Sequence, residues 1–251
     1  MQNSRSRAWI VPVWLLLAPL PAAAADIRQP DGVVEMFTSQ GCSSCPPADA
    51  VVTGIARDGR TLALAWHVDY WDYLGWKDIF AKRAHSDRQR AYARAFGEAQ
   101  VYTPQAIVNG RTHVVGSDGA AVLAKVERLA GDGKGMVVPI DATLDGDALR
   151  VRIPGSAAAE GATLWMIYLR DHADVDVTRG ENSGRKLGYS NIVEAVEMLG
   201  MVHGGDLKAE FRLRDLAARG HDSCALLLQA AAAGGAPGPI LGAALIGKLR
   251  K

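Results

Sequence analysis

The feature that most constrains this chain is a pair of cysteines, Cys42 and Cys45, set at a seam between two local patterns. Before them, residues 33–38 form an apolar, β-branched run that reads as a buried strand. After them, residues 48–56 are compatible with a helix that stops at Asp58-Gly59. A cysteine pair at a strand-to-helix junction predicts a redox centre more than a disulfide framework, since the chain has only three cysteines. The other readings are a fixed structural disulfide or half of a zinc site. A four-ligand zinc site usually needs a second Cys or His pair at similar spacing, and the remaining cysteine, Cys224, stands alone.

Disulfide exchange requires a thiolate with an open approach, so the attacking cysteine needs a lowered pKa. Cys42 leaves the strand through Ser39-Gln40-Gly41 and is expected where the helix begins, its thiolate stabilised by free backbone N–H groups and the helix dipole. Cys45 follows three residues later on the same helical face and is expected to resolve a mixed disulfide. Pro46 and Pro47 come next and make the first helical turn irregular. Only Ser43 and Ser44 lie between the cysteines, with no His or Lys to stabilise a thiolate. Cys224 precedes Ala225-Leu226-Leu227-Leu228 and reads as a small buried hydrophobe.

Redox use fits the N-terminus. Arg5 and Arg7 precede an apolar run over residues 8–20 and the string Ala22-Ala23-Ala24-Ala25, the pattern of a cleaved export signal over residues 1–25. The run contains Pro12 and Pro19 and falls short of the roughly 20 apolar residues that span a bilayer. Without it, 26 of the 28 basic residues face 27 acidic ones, a balance that gives no reason to expect nucleic acid. The expected location is periplasmic or secreted, where disulfides persist, with no stable membrane span once the signal is removed.

Along residues 26–131 the elements alternate. A second buried strand is expected at 61–68 and a surface helix over 77–100, broken near Ser86; a hairpin over 105–115 turns at Asn109-Gly110, and a helix follows over 118–130. The order is strand, helix, strand, helix, strand, strand, helix. After the Gly-rich residues 131–135 the period changes to two, with Leu149, Val151 and Ile153 alternating with Arg150 and Arg152. Further short strands are expected at 137–142, 163–170, 193–201, 207–213, 224–229 and 240–246, with a turn near 180–185. Residues 136–251 are therefore expected to form a mostly β, sandwich-like second domain.

A second signal is Tyr102-Thr103-Pro104-Gln105, where a cis X–Pro bond ahead of a strand would leave the Thr103 backbone free to pair with an extended substrate. With both motifs in view, residues 26–131 resemble the thioredoxin superfamily, whose CxxC helix start faces a Thr-cis-Pro turn. More closely, residues 37–49, His67-Val68-Asp69-Tyr70-Trp71-Asp72-Tyr73, residues 102–105 and Gly180-Glu181-Asn182-Ser183-Gly184 are similar to an exported bacterial family, domain of unknown function 1223. The resemblance implies an α/β thioredoxin-like fold, Cys42 and Cys45 as catalytic residues, and Thr103 and Pro104 as the substrate-binding turn. It also implies that Glu35, in the first strand, lies under Cys45 and handles its proton. The parallel strands place His67, Asp69, Tyr70, Trp71, Tyr73 and Trp76 on the edge that carries Cys42, as a rim that binds a peptide, shields the site or packs between domains.

The expected function is thiol–disulfide exchange with a protein or a small thiol, using the cysteine pair itself and no added cofactor. Two other classes remain open. One is a Cu(I)-binding protein using Cys42 and Cys45, with His67 or Met36 nearby. The other is a non-catalytic binding module whose cysteines stay in a fixed disulfide.

Overall fold

The computed structural model describes residues 26–249, so the expected export signal lies outside the described residues. The first half contains β1 (Asp26–Arg28), β2 (Gly32–Thr38), α1 (Pro46–Asp58), β3 (Thr61–His67), α2 (Arg83–Phe96), β4 (Gln105–Val108), β5 (Thr112–Val115) and α3 (Gly119–Gly131). The second contains β6 (Asp141–Asp145), β7 (Ala148–Ile153), β8 (Thr163–Val177), β9 (Arg185–Met201), β10 (Leu207–Arg212), α4 (Leu213–Ala218), β11 (Ser223–Ala231) and β12 (Pro237–Gly247). The chain is a mixed α/β protein dominated by sheet.

Nine strands form one sheet in the order β1-β12-β11-β8-β9-β3-β2-β4-β5. β2 and β3 are parallel and buried at every position, as their continuous apolar runs require. One face of this pair carries Val34, Met36, Ala63 and Ala65 against Ala48, Val52 and Ile55 of α1 and Val122 and Val126 of α3. The opposite face carries Val33, Phe37, Leu64 and Trp66 with Tyr92 of α2. The alternation of side chains along β2 thus assigns odd positions, Glu35 among them, to the α2 face.

The boundary expected near residues 131–136 falls in the connection after α3, but the sheet runs through both halves: β9 lies parallel to β3 through the pair Ala65 and Ile192. A sandwich-like packing does exist further along. The three-stranded sheet β10-β7-β6 sets Leu149, Val151 and Ile153 against Leu164, Met166, Leu226 and Leu228. The alternation in β7 has the expected register, with these three apolar residues buried and the two arginines exposed.

Three boundaries differ from expectation for physical reasons. α2 begins only at Arg83 and is unbroken at Ser86, whose hydroxyl is held by Asp69 outside the helix. The strand expected at 137–142 begins at Asp141, because Pro139 has no N–H to donate to a ladder. Most consequentially, β8 and β9 extend well beyond 163–170 and 193–201 into one long antiparallel hairpin, paired from Thr163 with Met201 to Val177 with Arg185. Its far end packs Val175, Val177, Leu187 and Tyr189 with Trp76 and Phe80.

Candidate functional site

Cys42 and Cys45 form a disulfide with Cα atoms 5.4 Å apart. Cys42 is 3 % exposed and Cys45 fully buried. The loop that carries them leaves β2 in two successive turns, with the Cys42 N–H donating to Ser39 O at 3.2 Å and the Cys45 N–H to Cys42 O at 3.2 Å. Gly41 lets the loop pass close to Trp71, since a Cβ at this position would lie a tight 3.2 Å from Trp71 Cβ and from the Trp71 carbonyl oxygen.

The helix does not begin at Cys42. α1 starts at Pro46, with Cys45 as its N-cap. The expected free helix N–H groups are not available either: Pro46 and Pro47 have none, and the Ala48 and Asp49 amides both donate to Cys45 O, at 2.8 and 3.1 Å. What reaches the Cys42 sulfur instead are hydroxyls. Thr103 Oγ1 donates to Cys42 Sγ at 3.2 Å, and Ser44 Oγ lies 3.3 Å from the same sulfur. The Thr103–Pro104 bond is cis, and antiparallel pairing of β4 with β2 brings this turn beside the cysteines although 61 positions separate Thr103 from Cys42.

Trp71 belongs to the same group, its indole N–H donating to Thr103 Oγ1 at 2.8 Å. Tyr73 stacks on Trp71 at 6.4 Å between ring centroids and is 76 % exposed, which leaves an aromatic surface beside the disulfide. Trp76 donates to Gln40 Oε1 at 2.9 Å. The rim expected from residues 67–76 is therefore divided: Trp71 and Trp76 touch the cysteine loop or its turn, while His67 is fully buried beneath it.

Glu35 is not with the cysteines' supporting groups. It faces α2, where Arg88 Nε donates to its Oε1 at 2.7 Å and the Tyr92 hydroxyl donates to its Oε2. Arg88 and Tyr92 also bond Gln229 of β11, so the acid ties the two halves of the sheet together. The buried acid on the cysteine side is Asp49, which sequence reasoning missed. It lies one helical turn after Cys45, and Thr38 Oγ1 donates to its Oδ1 at 2.7 Å. Burial pushes its pKa up to about 7, against the Thr38 hydrogen bond and the charge of His67. The only signal in the sequence was an Asp in the first turn of a helix, which ordinarily reads as a response to the helix dipole.

Asp49 is part of a buried polar cluster. His67 Nδ1 lies 2.7 Å from Asp78 Oδ2, with both side chains fully buried. Burial alone would lower the His67 pKa, but Asp78 outweighs it and the net direction is upward; burial likewise opposes the Asp78 charge, and His67 holds its pKa low. Both directions favour the ionised form of the pair. The Tyr189 ring stands 4.8 Å from His67, and burial keeps its hydroxyl protonated. Asp49 Oδ2, His67 Nε2, Tyr189 Oη and Gln40 Nε2 are all buried without a hydrogen-bond partner among the described residues. Among those residues no group of three or more His, Cys, Asp or Glu is arranged to hold a metal. Met36 is fully buried, its sulfur packed at Gly116. Cys224 is buried in β11, and burial pushes its thiol up to about 12.

The largest surprise comes from the tip of the β8–β9 hairpin, where only a turn was expected. Asn182, fully buried, donates through Nδ2 to Gln40 O at 3.0 Å and to Cys42 O at 2.9 Å. Glu181 Oε2 accepts from the Ser43 N–H at 3.2 Å. Gly180, at φ 74°, sits where a Cβ would meet Trp76 Cβ at 3.1 Å. The second half therefore supplies a clamp on the backbone of the cysteine loop.

Comparison with known proteins agrees with this continuity. The X-ray crystal structure of a protein from Agrobacterium tumefaciens, a structural-genomics target, is 37 % identical and superposes with a TM-score of 0.78, covering 87 % of this chain and 95 % of that one. HBP35 of Porphyromonas gingivalis is 14 % identical with a TM-score of 0.54, over 86 % of this chain and 74 % of the other, a likeness of fold alone. No curated protein matches the chain. The family model described as a protein of unknown function, DUF1223, matches residues 33–229, from β2 through most of β11 and including the hairpin tip. The chain belongs to that family.

Proposed function

We propose that the protein is an exported thiol–disulfide oxidoreductase built on a thioredoxin-like half, with Cys42 as the attacking thiol and Cys45 as the resolving one. The observation that carries this reading is a closed Cys42–Cys45 disulfide packed against Thr103 of a cis Thr103–Pro104 turn. A purely structural crosslink has no need of that turn. Export, read from residues 1–25, puts the pair where a disulfide persists.

In the reducing direction a partner thiolate attacks Cys42 Sγ, the Cys42–Cys45 bond breaks, and its electron pair leaves on Cys45 Sγ. Cys45 takes a proton, and a mixed disulfide joins the partner to Cys42. A second partner thiolate then attacks the partner's sulfur in that mixed disulfide and releases Cys42 as a thiolate. Two electrons have passed from the partner's thiols to the pair, leaving the partner as a disulfide, and the reverse sequence reduces a partner disulfide while closing the Cys42–Cys45 bond. Asp49 is the group we assign to the Cys45 proton. It lies one turn along the same helix, a helical side chain leans back toward the N-terminal turn, and its carboxyl is half protonated near neutral pH. The His67–Asp78 pair fixes the charge beside it.

The test is equilibration of the full chain across reduced and oxidised glutathione, followed by alkylation and mass analysis. The expected result is a reversible, two-thiol change confined to Cys42 and Cys45, and capture of glutathione at Cys42 by the Cys45→Ser variant. A pair that stays closed in excess dithiothreitol while the protein remains folded, or a Cys45→Ser variant that captures nothing, would refute the reading.

A further inference from the structure

Resting on the redox reading of the cysteines, we propose that Trp71 is a positioning residue for the attacking thiol: its indole N–H orients the Thr103 hydroxyl so that the hydroxyl proton is directed at Cys42 Sγ. The argument begins with donor and acceptor capacity. An indole nitrogen can only donate, so at 2.8 Å from Trp71 Nε1 the Thr103 oxygen must be the acceptor. The hydroxyl has a single proton of its own, and that proton points to the sulfur 3.2 Å away. The other hydroxyl at Cys42 is not held this way. Ser44 Oγ lies 3.3 Å from the sulfur, but it also donates toward Thr103 O at 3.4 Å, which draws its proton elsewhere.

A disulfide sulfur is a weak acceptor and a thiolate a strong one, so a fixed donor favours the ionised form of Cys42 over the neutral or bonded forms. A hydroxyl that is itself accepting a hydrogen bond is the better donor, which places the indole in series with the thiolate. The fold has removed the more usual device, since Pro46 and Pro47 carry no N–H and the next two amides are spent on Cys45 O. The charged and titratable groups around Cys42 come from three directions. Glu181 and Arg185 stand on the hairpin tip, where Glu181 accepts from the Ser43 N–H and Arg185 donates to Asn182 Oδ1. Asp49 stands on α1. Tyr70, on the loop after β3, borders the Thr103 hydroxyl as a second acceptor, but its own proton goes to Gln89 Oε1 at 3.0 Å and burial keeps it neutral. A neutral oxygen yields to a thiolate in the competition for one proton. Replacing Trp71 leaves all of these groups in the chain.

The measurement is site-resolved alkylation of the dithiothreitol-reduced full chain as a function of pH, read as the midpoint for Cys42. Trp71→Phe is expected to raise that midpoint by about one pH unit, a tenfold change in the ionisation constant. Thr103→Val is expected to raise it at least as far, Thr103→Ser to leave it near the wild-type value, and Tyr70→Phe not to raise it. The double variant Trp71→Phe/Thr103→Val should match Thr103→Val alone, because the indole acts only through the hydroxyl. An unmoved midpoint in Trp71→Phe, or additive shifts in the double variant, would overturn the proposal. Thiol acidity is measured on reduced protein, whether or not glutathione exchanges with the pair. A normal exchange with an unmoved Trp71→Phe midpoint therefore sinks only the relay, while failed exchange sinks the redox reading on its own.

Discussion

The cysteine edge of the molecule and the sandwich at its other end bury side chains by opposite rules. Around Leu149, Val151, Ile153, Leu226 and Leu228 the interior is apolar and fully packed, and the charges stay outside, with Arg150 and Arg152 pairing Asp145, Glu210, Asp141 and Asp206 on an exposed face. Such exposed pairs add little to stability. Beneath the cysteines the interior holds Thr38, Gln40, Asp49, His67 and Asp78, with several polar atoms left unpartnered among the described residues. Unpaired buried polar atoms cost stability, so a fold keeps them where they serve chemistry. The sandwich provides stability, and the cysteine edge consumes some of it.

The largest expected effect tests that contrast through pH. An Asp49 carboxyl near 7 in the folded protein ionises near 4 when unfolded, so its contribution to stability is fully present below pH 4 and is lost as pH rises toward 7. At about 1.4 kcal/mol per unit the loss is on the order of 4 kcal/mol. Asp49→Asn should flatten this part of the pH profile in denaturant unfolding; an unchanged slope between pH 4 and 7 would remove Asp49 as a buried acid. Next comes Leu226→Ala, fully buried in the sandwich, which should cost about 3 kcal/mol at every pH and leave Cys42 alkylation unchanged. A shift in thiol reactivity there would mean that the two regions are not separable. The smallest effect is expected at the link between them. Asn182→Ala removes the side-chain donor from Gln40 O and Cys42 O, the latter keeping only the Cys45 N–H, and should cost about 2 kcal/mol, while hydrogen exchange quickens in the Gln40–Cys45 loop more than in β7.

Much of the first half was legible because its signals are local. The runs at 33–38 and 61–68 became β2 and β3 within a residue or so, and Asn109-Gly110 turned the hairpin as its dipeptide predicts. Cys42 and Cys45 were marked by residue type and spacing, Thr103 and Pro104 by the resemblance to thioredoxin-like proteins, and Trp71 only as one residue of the edge shared by the parallel strands. What escaped was decided by tertiary contact. Glu35 reads as an acid on the right strand, but period-two alternation turns it to the α2 face, and the acid on the cysteine face comes from a helix instead. Residues 180–185 carry ordinary turn chemistry, and nothing local states that Asn182 will donate to the Cys42 carbonyl. The extent of β8 and β9 was hidden because Arg170, Asp171, His172 and Asp174 in one strand and Arg185 and Lys186 in the other form exposed polar stretches with no apolar run.

The position of Asn182 has a further consequence in time. It follows Cys42 by 140 positions, and β9, which covers the edge of β3, follows it as well. A chain made or translocated from its N-terminus presents both cysteines long before the residue that pins their loop exists. Under the proposed function, oxidation of the pair during that interval would act on an unclamped loop and later turnover on a clamped one, so the two would take place on different surfaces of the same protein.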